Sequence, residues 1–246
     1  MSVTYLRTEI RRTFRNTRFV LFAIAFPVLM FLLQANLFLS GVTPAEKASA
    51  VGVVMVNMMV FGTLAASMST GARLSVERSV GWQRQLRLTP LSGPGYLGGK
   101  GVSGMLVGLP ALILVPLIAG VAEGVHLDAI GWVKIIAGIW IGSVPLVLIG
   151  LLLGQFGTPE SMQPVNMLVM MGMGFLGGLW IPIDTAAWVH NVAQFLPSYW
   201  LTALVRPVVT NELNVSFGHA AMVLGGWTVV LMALVARRYR KDSARV

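Results

Sequence analysis

The sequence predicts an all-α polytopic membrane protein: six transmembrane helices with both termini cytoplasmic. Three observations carry this. First, the 246 residues are 56% hydrophobic and 11% charged, with mean hydropathy +0.77. A soluble fold of this size does not need that much apolar surface, whereas about six helices of ~20 residues do. Second, polar interruptions divide the chain into apolar runs. Third, 15 of the 18 Lys and Arg fall in three clumps that six crossings place on one face.

Residues 1–18 read as an interfacial amphipathic helix. Leu6, Ile10 and Phe14 share one stripe; Arg7, Arg11, Arg15 and Arg18 form a basic stripe beside it, and Arg12 adds to the charge. Such a helix lies in the membrane surface with its arginines at anionic headgroups. No cleavable signal peptide is expected, because the first apolar run begins at Phe19, is too long and lacks a small-x-small cleavage site.

The first span is residues 19–39, with Pro27 as a kink. Residues 40–49 form a polar loop. The second span, 50–72, is rich in Met and small residues and carries Asn57. Residues 73–100 are the only long charged internal stretch, with Glu77, Arg78, Arg84, Arg87, Lys100 and a breaker cluster at Thr89-Pro90 and Ser92-Gly93-Pro94-Gly95. The third span is 101–121, with Pro110 and Pro116. The fourth is 131–153, where Lys134 snorkels and Trp132 suits the aromatic belt. A polar loop at 154–163 precedes the fifth span, 164–183. Residues 184–216 hold short apolar pieces broken by Pro197 and Pro207, with Trp188, Tyr199 and Trp200. Each piece is too short to span, which fits a re-entrant or interfacial hairpin, with an ordinary loop as the alternative. The sixth span is 217–236, and 237–246 is a basic tail.

The basic residues orient this layout. The N-terminal segment, the stretch 73–100 and the C-terminal tail carry five each, against Lys47, Lys134 and Arg206 on the other face. That asymmetry makes the rich face cytoplasmic. Basic residues clumped between apolar runs argue against a nucleic-acid partner and for membrane lipids, despite the net charge of +9. With no cysteine there is no disulfide and no thiol chemistry.

The middles of all six spans lack Asp, Glu, Lys, Arg and His. An ion-coupled transporter generally needs ionisable groups at that depth. Energy for transport would therefore arrive from outside the membrane. The chain has no phosphate-binding P-loop, since Gly98-Gly99-Lys100 lacks the required lead and no strand precedes it. The chain is not expected to be an enzyme or to bind a metal or cofactor itself. A rival reading, an intramembrane serine protease, rests on Gly101-Val102-Ser103-Gly104 and His219. It fails because the topology places Ser103 and His219 on opposite sides of a ~30 Å core. A non-transporting six-span scaffold or assembly protein is the other alternative. His126 and His190 read as lone loop histidines.

Three stretches resemble the ABC-2 exporter permeases. Glu9-Ile10-Arg11-Arg12 through Arg15-Asn16, then Phe26-Pro27, is similar to that family's interfacial helix and first span. Glu77-Arg78, Gly81, Leu86, Thr89-Pro90-Leu91, Tyr96 and Gly99-Lys100 resemble its cytoplasmic signature. Gly177-Gly178-Leu179-Trp180-Ile181-Pro182, with Leu196-Pro197, Tyr199-Trp200 and Ala203-Leu204-Val205-Arg206, resembles its fifth span and external helices. Length and short loops most resemble the daunorubicin-type drug exporters. The loop before the signature lacks a second acidic residue often found there.

The resemblance implies a single ABC-2 transmembrane domain over residues 1–246, in a bacterial inner membrane. It implies a permease dimer, homo- or heteromeric, with separate ATPase subunits that hold ATP and Mg, exporting an amphipathic or hydrophobic drug, antibiotic or lipid-like molecule. It also implies that a coupling helix between spans two and three contacts the ATPase. Glu77, Arg78, Gly81, Arg84, Leu86, Arg87, Thr89, Pro90 and Leu91 would form that input, pairing charges and seating leucines in the partner's groove. The path would lie near spans one, two and five, where Asn57, Met58, Met59, Asn166 and Met170 are the candidate lining.

Overall fold

A computed structural model of the chain describes residues 7–8, 11, 17–38, 43–82, 85, 93–180, 187–210 and 217–244. Among the described residues the architecture is helical throughout, without strands. The elements are α1 (Thr17–Leu33) with a π-helical turn (Gln34–Phe38), α2 (Pro44–Ser79), α3 (Gly93–Ala122), α4 (Ala129–Gly142), α5 (Val144–Phe156), α6 (Pro159–Leu176), α7 (Ala187–Ala193), α8 (Pro197–Thr210) and α9 (Phe217–Ala244).

The fold is organised around α2. It packs against α1, α3, α4, α5, α6 and α8. Within its most apolar window 83% is buried inside the chain, against 22% for α9. So α2 is a central pillar, and α9 turns most of its apolar surface outward. At about 1.5 Å per residue, the 36 residues of α2 run well beyond a hydrocarbon core.

Four helical stretches are long and apolar enough to cross a membrane: Glu46–Ser79, Gly93–Ala122, Ala129–Phe156 and Phe217–Lys241. They correspond to the expected second, third, fourth and sixth spans. The expected first and fifth spans fall on α1 with its π turn and on α6, which are not among those four.

Several boundaries differ from the sequence expectation, each for a physical reason. Helix α2 starts at Pro44 inside the expected polar loop and continues seven residues past Ala72. Hydropathy falls there, yet no helix breaker occurs before Gly81. The expected fourth span is two helices, broken at Ser143 just before Pro145, whose ring removes a helix hydrogen bond and crowds the preceding turn. Asp128 starts this pair by accepting the Gly131 N–H at 2.8 Å. Helix α6 begins at Pro159, because Thr158 and Ser161 cap one another in a capping box. It stops at Leu176 instead of 183, where Gly177 and Gly178 turn the chain and Gly178 sits at φ +72°. The expected basic tail is helical as far as residue 244.

Small residues let the pillar and its neighbours approach closely. A Cβ on Gly71 would lie 2.0 Å from the Gly150 carbonyl oxygen, and one on Gly154 would lie 2.2 Å from that of Gly71. Ser67 and Gly71 on α2 thus meet Gly150 and Gly154 on α5, two small-xxx-small pairs with touching backbones. On the α3 side, Gly104 faces Thr70 and Gly108 faces Thr63.

Short helices α7 and α8 occupy the 184–216 region, as expected from their length; residues 181–186 and 211–216 lie outside the described residues. Trp200 Nε1 donates to the Gln194 carbonyl at 2.6 Å, and Trp227 Nε1 to the Phe195 carbonyl at 2.8 Å. These indole bonds pin the α7–α8 turn against α9.

Candidate functional site

The last turn of α2 and the first turns of α3 carry the only buried ion pair between described residues. Leu74, Tyr96, Val147, Leu151 and Val235 form an apolar cluster there. Glu77 follows Leu74 by three residues and enters the same cluster. Its Oε1 accepts from Lys100 Nζ at 2.6 Å, and its Oε2 accepts from the Tyr96 hydroxyl at 2.7 Å. Tyr96 and Lys100 are four residues apart on α3, hence on one helical face. The Glu77 and Lys100 side chains are 3% and 1% exposed. A charge taken out of water this far is tolerated when it is paired and its remaining hydrogen-bonding positions are filled. Both carboxylate oxygens of Glu77 have donors, and the Lys100 ammonium also sits 5.9 Å from the Tyr96 ring centroid.

Neighbouring elements close around this pair. Arg78 Nη1 donates to the carbonyls of Gln155 and Gly154, the latter at 3.3 Å. A cation there caps the negative end of the α5 dipole and joins α2 to α5. Tyr239 of α9 lies 6.3 Å from the Tyr96 ring, and Gly93 leaves room for it. Arg238 stacks on Phe156 at 4.6 Å. Beyond Ser79 the chain turns at Val80 and Gly81, the latter at φ +72°, a conformation that glycine adopts freely. Trp82 follows, exposed.

Two of the expected docking residues have partners within the chain. Glu77 and Arg78 point into their own chain, one buried and one engaged with α5, so they are not free charges on a surface. Arg84, Leu86, Arg87, Thr89, Pro90 and Leu91 lie outside the described residues, as do Arg12 and Arg15 of the interfacial segment; Arg7 and Arg11 are helical and exposed. Tyr96 and Lys100 belong to the expected cytoplasmic signature but not to the residues expected to contact the ATPase. Their four-residue spacing was a visible signal, but nothing in it named Glu77, 23 residues away, as the partner.

The expected path residues sit deeper. Met58 and Met59 are fully buried in the main core. Asn57 Nδ2 donates to the Gly178 carbonyl at 3.3 Å, and Asn166 Nδ2 to the Met68 carbonyl at 3.2 Å. The two amides tie α6 and its terminal turn to the pillar. Each leaves a buried Oδ1 without a hydrogen bond. Met170 is half-buried beside them. At the other end of α2, Asn36 Nδ2 donates to Glu123 at 2.7 Å, and Lys47 lies 4.0 Å from the same carboxylate.

No group of three His, Cys, Asp or Glu among the described residues is placed to hold a metal ion. Ser103 and His219 are far apart. Ser103 lies seven residues along α3 from Tyr96, whereas His219 lies twenty along α9 from Tyr239. At about 1.5 Å per residue, those steps leave the two side chains at different heights by roughly 20 Å.

The family model described as ABC-2 family transporter protein matches residues 43–237. The chain is also similar to a Bacillus subtilis (strain 168) protein carrying the name "Putative transport permease YvfS", with 28% identity over 195 residues, 78% of each chain.

Proposed function

The chain belongs to the ABC-2 family of transporter proteins, and on that premise we propose that it is the permease subunit of an ATP-driven exporter. A separate ATPase subunit holds ATP and Mg and docks on the connection between α2 and α3. The observation that carries this reading is where that connection starts and ends. It leaves the central pillar at Ser79 and reaches α3 at Gly93, beside a buried ion pair and near the basic end of α9. Movement imposed there passes directly to the most buried helix of the chain.

In this reading the chain is a multi-pass protein of a bacterial inner membrane, with six crossings and both termini cytoplasmic. It acts as a dimer with a second permease chain. The cargo is amphipathic or hydrophobic, a drug, antibiotic or lipid-like molecule, because no charged side chain occupies the middle of an expected span. Affinity purification of the tagged chain from its own membranes tests the proposal. A P-loop ATPase should accompany it in stoichiometric amount, and Arg84→Glu should release that ATPase while the permease stays folded in the membrane. Recovery of the folded chain without an ATPase would support the scaffold alternative instead.

A further inference from the structure

We infer that Glu77, Tyr96 and Lys100 form an internal latch that makes α2 and α3 a single lever. The part of this concerning ATP rests on the function proposed above; the latch itself does not.

A connection that bears load from a partner can move either of the helices it joins. If both are free, the connection bends and the displacement is lost in it. Here the two helices are fixed to one another at the point of entry. The Glu77 carboxylate is bound by Lys100 at 2.6 Å and Tyr96 at 2.7 Å, within four residues of one α3 face. Glu77 lies two residues before the end of α2, and Tyr96 lies three residues after the start of α3. The latch therefore lies at the base of the connection between α2 and α3.

Separating the helices would expose a bare carboxylate and ammonium to an apolar cluster, a costly state. Farther along, Gly104 and Gly108 hold α3 close on Thr70 and Thr63, so the joint continues into the bilayer-facing length. Arg78 adds α5 to the same body through its terminal carbonyls. These three residues position the helices; none is assigned to contact with ATP or cargo.

The cysteine-free chain permits a direct test. Spin labels are placed on Ser79→Cys and Gly98→Cys in the full chain, both sites being exposed and Gly98 having open space at its Cβ. Pulsed dipolar spectroscopy then reads the distance between the ends of α2 and α3. One narrow distance is expected in the parent, without nucleotide and in the vanadate-trapped complex with the co-purified ATPase. Glu77→Gln and Lys100→Gln should broaden it in the chain alone, and the exchange Glu77→Lys with Lys100→Glu should narrow it again. Lys100→Arg keeps the charge and should stay narrow, which covers the case where the neutral variants fail to fold. With the latch broken, nucleotide should shift the distance, and turnover by the bound ATPase should fall about tenfold from the parent's rate. An unchanged narrow distance in folded Glu77→Gln, or a nucleotide-driven separation in the parent, would overturn the latch. If no ATPase co-purifies, the functional proposal fails, while the comparison in the chain alone still decides the latch.

Discussion

Glu77 and Lys100 face each other at 2.6 Å, one on the last turn of α2 and one about two turns into α3, with side chains 3% and 1% exposed. The pair crosses the base of the connection between the two helices and is joined through Tyr96 to the apolar cluster of Leu74, Val147, Leu151 and Val235. Its role is positional more than stabilising, because the desolvation of two buried charges offsets most of their attraction.

Removing one partner is therefore far worse than removing both. Lys100→Met alone should destabilise the chain by about 3–5 kcal/mol, because it removes the Lys100 cation from the buried Glu77 carboxylate. The double variant Glu77→Leu with Lys100→Met should recover most of that loss. Unfolding in mixed micelles titrated with sodium dodecyl sulfate reads both. A double-variant loss equal to the sum of those of Glu77→Leu and Lys100→Met measured singly would show that the two charges are not coupled.

The contact of α2 with α5 depends on missing side chains. Gly150→Ala would drive a methyl group into the Ser67 carbonyl, 2.1 Å away, and Gly71→Ala into that of Gly150. Each should cost at least about 1–3 kcal/mol through overpacking of backbone against backbone. Gly225→Ala on α9 is the control, since nothing lies within 4 Å of its added methyl. There the change should be neutral or slightly stabilising, by up to about 1 kcal/mol, because alanine is the better helix former. Thermal inactivation in detergent should rank the three in that order.

Much of this architecture was legible in the sequence because apolar runs and breakers report it directly. The Trp200 region holds short helices, as its broken apolar pieces suggest, whereas the expected fourth and fifth spans ran through Pro145 and Gly178, where the helices break or end. The ends of α2 were not legible. Hydropathy reports immersion in lipid, and it ends near Ala72, whereas the helix continues through Arg73, Leu74 and Val76 until Gly81 turns the chain. The start of α6 was missed because Pro159 and Glu160 look like loop residues until Thr158 is seen to cap them. The latch was hidden for another reason. Glu77 and Lys100 read as solvent-facing charges in a polar stretch, and only the docking of α3 on α2 brings them together out of water.

The orientation proposed for the bundle rests on its basic residues and has its own test. Cysteines introduced at Ser79 and His126, both exposed, belong to opposite ends of the α2–α3 pair. In intact cells a membrane-impermeant maleimide should label position 126 and spare position 79, and permeabilisation should expose both. The reverse pattern would invert the topology and remove the connection 80–92 from any cytoplasmic ATPase.

The central claim is that the ATPase engages the connection between α2 and α3, and photocrosslinking tests it most directly. A photoreactive residue is placed at Leu86 or Leu91 in the full chain, and at Leu168 on the exposed face of α6 as the control. Irradiation of the membranes should yield a covalent adduct with a P-loop ATPase from positions 86 and 91 and none from 168. Adducts absent at 86 and 91 but present from another cytoplasmic position would contradict the account.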